Sequence, residues 1–354
     1  MTVTVLMAVR NGMPYVEEAV ESVLRQTFRD FELVIVEDAS TDGTRERLQA
    51  FTDPRIRLVC NDSQQGQTRS LNRGLALAKG LTVARIDADD ICLPERLKTQ
   101  VRFLDRNPAI SVVASRWIGL SPSGKPLGTR GNVLSDDGSF LGRLLLGDCP
   151  LYHTTVMFRK EAVEQAGGYD AAFKIGQDYD LWARMAVLGL RAVVLEKPLV
   201  CYRFHSRQQS VADRPAHQEE LLQAHRRLLS CFGPQEGPAR RATLLLRSDD
   251  RFWKECGSKE NVARCVNTLE EMLEQARTHL KLTDQEFQII RWLVRNRIPW
   301  GVRWSESLVR LPAWLFYGIV GLFSPLLIPR LHPAASFITG WIRRGQITVC
   351  SLKP

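Results

Sequence analysis

The feature that most constrains this chain is an alternation in its N-terminal part, where short apolar runs end on polar residues and are separated by helical periods. Val3 to Val9 is continuous and apolar, stops at Asn11-Gly12, and leaves Pro14 placed for a first helical turn. That pattern predicts a buried strand, a turn and a helix. The helix repeats its apolar face at Val16, Ala19, Val20, Val23 and Leu24 and stops near Phe28. Phe31 to Val36 predicts a second buried strand ending on Glu37-Asp38, and Ser40-Thr41-Asp42-Gly43 supplies turn and N-cap chemistry for another helix. Arg55 to Cys60 is a third strand, followed by a polar loop, Asn61 to Gln67, and a helix through Leu71, Leu75 and Ala78. Such alternation predicts an α/β fold with a doubly wound, mostly parallel sheet. Ligands bind such sheets beyond the carboxyl ends of the strands. Asn11, Asp38, Asn61 and Asp87 all fall at such ends and should converge on one crevice.

The next apolar run, Leu81 to Ile86, leads into Asp87-Ala88-Asp89-Asp90. Carboxylates this close repel one another unless a cation offsets them. Oxygen-rich sites of this kind suit hard divalent ions such as Mg²⁺ or Mn²⁺, which keep open positions for phosphate oxygens. Two readings stand at this point: a metal-binding cluster, and a solvated acidic loop in which Asp90 caps the next helix. No Gly-x-Gly-x-x-Gly follows the first strand and no Gly-x-x-x-x-Gly-Lys-Ser/Thr is present, which removes the usual dinucleotide and P-loop readings. Arg69 is a candidate partner for anionic oxygen, since a guanidinium binds it in a bidentate fork; the alternative is a solvated arginine on a helix face.

Three stretches carry a family resemblance over roughly residues 3 to 210. They are MAVRNGMPYVEEAVESVLRQTFRDFELVIVEDASTDGT, GQTRSLNRGLALAKGLTVARIDADDICLPERLKTQ, and HTTVMFRKEAVEQAGGYD with the later QDYDLWARM and YRFHSRQQS. Together they resemble the family 2 glycosyltransferases of the GT-A fold. The resemblance implies that Ala8, Asn11 and Asp38 hold the nucleoside of a nucleotide-sugar, that Asp87 lies by the ribose, and that Asp89 binds the divalent metal bridging the donor diphosphate. In Tyr202-Arg203-Phe204-His205 it implies that His205 approaches the metal or diphosphate; a structural role for this histidine stays open. His153 is read as an acceptor-side or packing residue.

An inverting sugar transfer needs a carboxylate within hydrogen-bond reach of the attacking hydroxyl. The family supplies it from a Glu-Asp pair ahead of Asp-Leu-Trp, and this chain has Gln177-Asp178 there. Asp178 is therefore assigned as the base and Asp180 as an N-cap or hydrogen-bond anchor, with helix capping the alternative for both. The glutamine removes a negative charge and bears on acceptor recognition more than on the chemistry. Pro94 to Asn107 predicts an amphipathic helix, Ile110 to Ala114 a strand, and Ser121 to Gly138 a surface loop.

The organisation expected is a nucleotide-sugar-binding and catalytic domain over 1–215, a helical region over 216–296, and a membrane-associating segment over 297–354. In the helical region Gly233 to Pro238 reads as a linker, Val262 to Ala276 as a helix, and Thr283 with Glu286 as a capping box. Charge singles out the end of the chain. Of the formal +9, residues from Arg291 onward carry nine basic side chains against one acid, Glu306, and five of the eight tryptophans lie there. Within it Leu311 to Ile328 is an uncharged run of 18 residues between Arg310 and Arg330. A spanning helix needs about 20 apolar residues, and Pro312, Gly318, Gly321 and Pro325 interrupt this run. A kinked, interfacial or re-entrant helix competes with a true span and with a buried core helix. Basic residues with tryptophan suit a membrane interface; nucleic acid gives no reason for an uncharged run and is not expected. The eight cysteines show no CxxC spacing, so reduced thiols in a cytosolic compartment are expected. The chain enters a strand directly, so no signal peptide is expected.

The resulting expectation is an inverting, metal-dependent glycosyltransferase using a nucleotide-sugar, a UDP-sugar in particular. Its acceptor is a glycan or lipid-linked hydroxyl in surface-polysaccharide synthesis at the cytoplasmic face of the cell membrane. A nucleotidyltransferase would be expected to show a Gly-rich basic loop near the first strand. A catalytically inactive glycan-binding or scaffold protein is the remaining alternative, and the intact Asp87, Asp89 and Asp178 argue against it.

Overall fold

The computed structural model describes residues 3–135, 139–233, 242 and 259–297. Its centre is a nine-stranded mixed sheet. The chain runs β1 (Val3–Val9), α1 (Val16–Leu24), β2 (Phe31–Glu37), α2 (Thr44–Gln49), β3 (Ile56–Cys60), α3 (Gln67–Leu77), β4 (Thr82–Arg85), β5 (Ile91–Cys92), α4 (Arg96–Arg106), β6 (Ile110–Leu120) and β7 (Pro126–Arg130). It continues through α5 (Ser139–Leu145), β8 (Met157–Arg159), α6 (Lys160–Gln165), α7 (Gln177–Val187), β9 (Arg191–Arg203), α8 (Gln209–Ala212), α9 (Arg214–Ser230), α10 (Lys259–Leu280) and α11 (Asp284–Arg297). The spatial order is β3-β2-β1-β4-β8-β6-β9-β5, with β7 added to β6.

The continuous apolar runs are strands covered on both faces. In β1, Val3, Val5, Met7 and Val9 point to the side closed by Val16, Val20 and Val23 of α1 and by Leu97 and Leu104 of α4. Leu6 and Ala8 point to the opposite side, against Leu71 and Leu75 of α3. The period of two thus feeds two cores. Fully burying one such aliphatic side chain contributes about 1.5–3 kcal/mol. Contact is close enough that a Cβ at Gly74 of α3 would come within 2.2 Å of Leu6 Cδ1, so any larger residue there requires the Leu6 side chain to shift.

Strands β3, β2, β1 and β4 are mutually parallel, as expected. Beyond them β8 is antiparallel to both β4 and β6. Two reversals make β6 parallel to β4, and β9 is parallel to β6. The carboxyl ends of β1, β2, β4, β6 and β9 therefore share one edge of the sheet. β6 extends six residues past the Ala114 expected from the sequence, because the 13-residue β9 offers it a long partner. The register jumps from Ser115↔Leu195 to Arg116↔Pro198, a bulge where proline has no N–H to give the ladder. The loop expected over Ser121 to Gly138 contains β7, antiparallel to β6, although every residue of that strand is exposed.

Helices α9, α10 and α11 bring Leu222, Leu228, Leu269, Met272, Phe287 and Ile290 into the same buried cluster as Phe158 and Trp182. The helical region thus shares a core with the sheet domain. The expected capping box is present, Thr283 Oγ1 and the Thr283 N–H both donating to Glu286. No helix among the described residues is long and apolar enough to cross a membrane. The run Leu311 to Ile328 and most of the expected linker lie outside the described residues. Cys92 and Cys201 are buried free thiols, Cys265 is buried, and Cys60 is half-buried.

Candidate active site

The turn after β1 is set by Asn11, which adopts a positive φ of 54°. Its N–H donates to Ser40 Oγ at 2.9 Å, and its Oδ1 accepts the Thr41 N–H at 2.9 Å. The Gly12 N–H donates to Thr44 Oγ1 at 2.8 Å and the Met13 N–H to Asp42 at 3.0 Å. The loops following β1 and β2 are thereby stitched into one wall. Asp42 accepts from Thr44 N–H and hydroxyl, which opens α2 behind Gly43. Glu37 is buried. Burial works to raise its carboxyl, but bonds from Ser40 and Arg45 outweigh it and hold it below the ordinary value.

Asp38 is almost wholly buried and organises the opposite wall. One oxygen accepts from Asn61 Nδ2 at 2.6 Å and the Gln65 N–H at 2.7 Å, and the other from the Gly66 N–H at 2.8 Å. Gly66, at φ +89°, then opens α3. Between the walls lies a cleft of about 430 Å³, lined by Ala8, Asn11, Asp38, Asp87, Asp89 and His205, with Arg10 and Arg207 at its margin. Six sequence-predicted residues thus meet in one concavity. Arg69 is exposed on α3 and is not part of the cleft lining, because Gln67 and Ser70 occupy that face.

Asp87, Asp89 and Asp90 offer carboxylate oxygens that lie within 4.8 Å of one another. The charge is partly answered from below. Arg85, with 1% exposure, forms an ion pair with Asp87. Arg96, also buried, donates to the Arg85 carbonyl at 2.6 Å and the Val156 carbonyl at 3.1 Å. Burial first, and the Asp89 charge after it, raise the Asp87 carboxyl against the pull of Arg85. The Asp87 N–H donates to Thr154 Oγ1 at 3.3 Å. Asp89 Oδ2 is 2.8 Å from His205 Nε2.

Asp90 is not a helix cap. The N-cap of α4 is Glu95, because β5 intervenes between the acids and the helix. Asp90 is fully buried, its Oδ1 accepts the Arg203 N–H at 2.8 Å, and its Oδ2 has no partner. Burial, then Asp89 and Asp87, push its carboxyl well up. Arg203 spans the region, donating to the Asp89 carbonyl at 3.0 Å and to Glu18 at 2.6 Å while stacking 4.6 Å from the Tyr15 ring.

Asp178 sits in the first turn of α7. Its Oδ1 accepts the Tyr179 N–H at 2.8 Å. Burial pushes its carboxyl up to about 6, with Arg85 and Asp87 also acting on it, and the residue is not among those that line the cleft. Asp180 is an anchor and not the cap: Gly176 holds the N-cap position, and Asp180 bonds Arg184 Nε at 2.8 Å and Arg227 at 3.1 Å. Gln177 is buried and donates to Gln67 at 3.3 Å, linking α7 to the cleft wall. His153 is a packing residue, its Nε2 2.7 Å from the Tyr169 hydroxyl, and burial depresses its pKa well below the ordinary value.

Two contributors, Glu220 and Arg85, have no role in the sequence reading. Glu220 of α9 accepts three backbone N–H groups, Lys174, Ile175 and Gly176, at 2.8–2.9 Å, and so fixes the turn that presents Asp178. Nothing in its own helix marks it. Arg85 was visible as an arginine inside an apolar strand, a placement that costs energy unless an anion pairs with it.

Residues 4–167 match the family model described as Glycosyl transferase family 2. EpsE of Bacillus subtilis, a glycosyltransferase by name, is 32% identical over 202 residues, 56% of this chain and 71% of EpsE. The O-antigen biosynthesis glycosyltransferase WbnJ of Escherichia coli is 28% identical over 221 residues, 58% of this chain and 80% of WbnJ. Among solved structures, S. aureus TarS residues 1–349 in complex with UDP-GlcNAc superposes with a TM-score of 0.56 at 18% identity, covering 88% of this chain and 92% of that one. The mannosyltransferase PcManGT of Pyrobaculum calidifontis, in complex with GDP-Man and Mn²⁺, gives 0.51 at 21% identity, covering 84% and 87%. These two likenesses concern the fold, which is of the GT-A type. With its motifs, its sheet and its relatives in agreement, the chain belongs to glycosyltransferase family 2.

Proposed function

We propose that this protein is an inverting, metal-dependent glycosyltransferase that moves a sugar from a nucleotide-sugar, a UDP-sugar, to a hydroxyl of a glycan or lipid-linked acceptor in surface-polysaccharide synthesis. The observation that carries the reading is that Asp87 and Asp89 of the three-carboxylate cluster line the same cleft as Asn11 and Asp38. WbnJ and the succinoglycan biosynthesis protein ExoO, 30% identical over 225 residues, support the glycan assignment by their names. The nucleotide-sugars held by TarS and PcManGT support the donor class.

The residues present fit a divalent cation. The donor set is the carboxylate oxygens of Asp87, Asp89 and Asp90, with Asp90 Oδ2 buried without a partner, and His205 Nε2 stands 2.8 Å from Asp89 Oδ2. Asp89 and His205 would hold Mn²⁺ or Mg²⁺. Such an ion, when bound, supplies positive charge against the diphosphate of the donor. Ala8, Asn11 and Asp38 bind the nucleoside, and Asp87 lies by the ribose. Arg10 and Arg207 bring positive charge to the cleft margin that the phosphates occupy.

Asp178 accepts the proton of the acceptor hydroxyl as its oxygen attacks the anomeric carbon. The bond from that carbon to the diphosphate oxygen breaks on the opposite face, and the configuration inverts. A carboxyl raised to about 6 is still mostly ionised at neutral pH and is a stronger base than an ordinary aspartate. Attachment to the cytoplasmic face of the cell membrane rests on the end of the chain, with its uncharged run, flanking arginines and tryptophans. The test is a screen of UDP- and GDP-sugars for release of nucleoside diphosphate with Mn²⁺ and with EDTA, the product anomer being read by proton NMR. Metal-dependent turnover of one donor with inversion is expected. Turnover undiminished in EDTA, or a retained anomer, would contradict it.

A further inference from the structure

The residues assigned to the nucleoside and ribose occupy only half of the catalytic edge. Asn11, Asp38 and Asp87 follow β1, β2 and β4, whereas β6 and β9 end on the same edge and carry none of them. What these strands carry there is aromatic. Trp117 of β6 is 4.8 Å from the Tyr152 ring, 5.1 Å from Tyr202 and 5.7 Å from Phe204 of the segment leaving β9. Arg130 of β7 lies over Phe204 at 5.5 Å, and Leu127 of the same strand is exposed.

The cluster borders the chemistry. Arg203, the residue after Tyr202, donates its N–H to Asp90 at 2.8 Å, which sets Tyr202 one residue from the acid cluster, and burial followed by the charges of Asp90, Asp87 and Asp89 raises its hydroxyl. Thr154, two residues after Tyr152, takes the Asp87 N–H. Tyr152 keeps 41% exposure although its ring packs on Trp117. Trp117 is buried to 2% exposure, and its indole Nε1 has no hydrogen-bond partner. A buried indole N–H ordinarily finds one. An exposed aromatic face on a packed aromatic cluster, two residues from the one that holds the Asp87 N–H, suits a ring that presents C–H bonds on its face.

Resting on the glycosyltransferase reading above, we propose that Tyr152, backed by Trp117 and Tyr202, is the platform for the acceptor, and that the acceptor's reacting end is a carbohydrate ring stacked on it. The electron-rich face of an aromatic ring attracts the polarised C–H bonds of a pyranose. The platform is carried by β6, β9 and the segment before β8, whereas the nucleoside-holding Asn11 and Asp38 follow β1 and β2. An acceptor seated there meets the anomeric carbon between the two, beside Asp178. The acceptor class is therefore a sugar, with any lipid carrier beyond the platform.

The probes are methyl hexopyranosides, tested by saturation-transfer NMR against the full-length protein carrying UDP and Mn²⁺, with nucleotide binding measured in the same samples by calorimetry. Saturation transfer to the axial C–H protons of at least one glycoside is expected. Tyr152→Ala should weaken that glycoside by about tenfold. Tyr152→Phe should retain it, and nucleotide affinity should be the same in all three proteins. Glycoside binding unaltered in Tyr152→Ala, or no glycoside contact in a protein that binds UDP, overturns the platform and leaves the donor reading standing. Absent nucleotide binding with a Tyr152-dependent glycoside contact overturns the donor reading and keeps the platform. Tyr152-dependent binding to phosphatidylglycerol vesicles with no glycoside contact would make the patch a lipid surface and overturn the proposal.

Discussion

Asp178→Asn should make the protein more stable and nearly inactive, and the gain in stability should depend on pH. Burial raises this carboxyl from 3.8 to about 6. At 1.36 kcal/mol per unit, that difference corresponds to about 3 kcal/mol. The folded pKa lies above the unfolded one, so the group's contribution is fully present below pH 3.8 and is lost as pH rises through about 6. At pH 8 the carboxylate is ionised in both states, and the fold bears the whole cost of holding it. Asparagine is neutral throughout, and its Oδ1 can keep the bond from the Tyr179 N–H. Asp178 keeps part of its surface in solvent, so the variant should gain at most about 3 kcal/mol over the parent at pH 8, about half of that at pH 5, and little at pH 4. Thermal unfolding in EDTA reads this as a rise on the order of 5–10 °C at pH 8 that shrinks as pH falls. The transfer rate should fall about 10²–10⁴-fold with donor affinity unchanged. A Tm gain independent of pH would refute the burial argument. Transfer near the parental rate would show that Asp178 only shapes the start of α7.

Other consequences are direct. Arg85→Met leaves the acid cluster without its buried counter-charge, and urea unfolding should show a loss of about 3–5 kcal/mol; an unchanged midpoint would mean that the cluster does not need Arg85. Glu220→Gln weakens the hold on the N–H groups of Lys174, Ile175 and Gly176. It should lower kcat by about tenfold or more through misplacement of Asp178 while leaving nucleotide binding intact; equal kcat values would dismiss the link. Truncation before Ile298 should release the protein from membranes, whereas full-length protein should resist a high-salt wash and require detergent. A full-length protein recovered wholly without either would show that the end of the chain does not hold it there.

The β1–α1–β2–α2–β3–α3–β4 half was legible because parallel strands covered on both faces must be continuously apolar, and their loops must carry the polar groups that meet at one edge. Asn11, Asp38, Asp87 and Asp89 were readable on that ground, and they share the cleft. The half containing β6 to β9 was less legible. β8 has three residues and β5 two, too few to show a period. β7 is wholly exposed and forms on the strength of its ladder with β6. For Arg69 the sequence left two readings because one turn of helix has two sides, and Gln67 and Ser70 take the one facing the cleft while Arg69 is exposed. Asp90 resembled a cap because the two-residue β5 behind it was invisible; only the fold shows that it receives the Arg203 N–H more than 100 residues away. Glu220 lies equally beyond local reading, since its three partners belong to a turn more than 40 residues earlier.

The most direct test of the central claim is calorimetric titration of UDP and GDP into full-length protein with Mn²⁺, with EDTA, and with Asp89→Ala in place of the parent. The account predicts that one of the nucleotides binds in Mn²⁺, that EDTA weakens it by at least about tenfold, and that Asp89→Ala binds equally weakly in both media while unfolding cooperatively. Nucleotide affinity indifferent to Mn²⁺, or metal dependence preserved in Asp89→Ala, would contradict it.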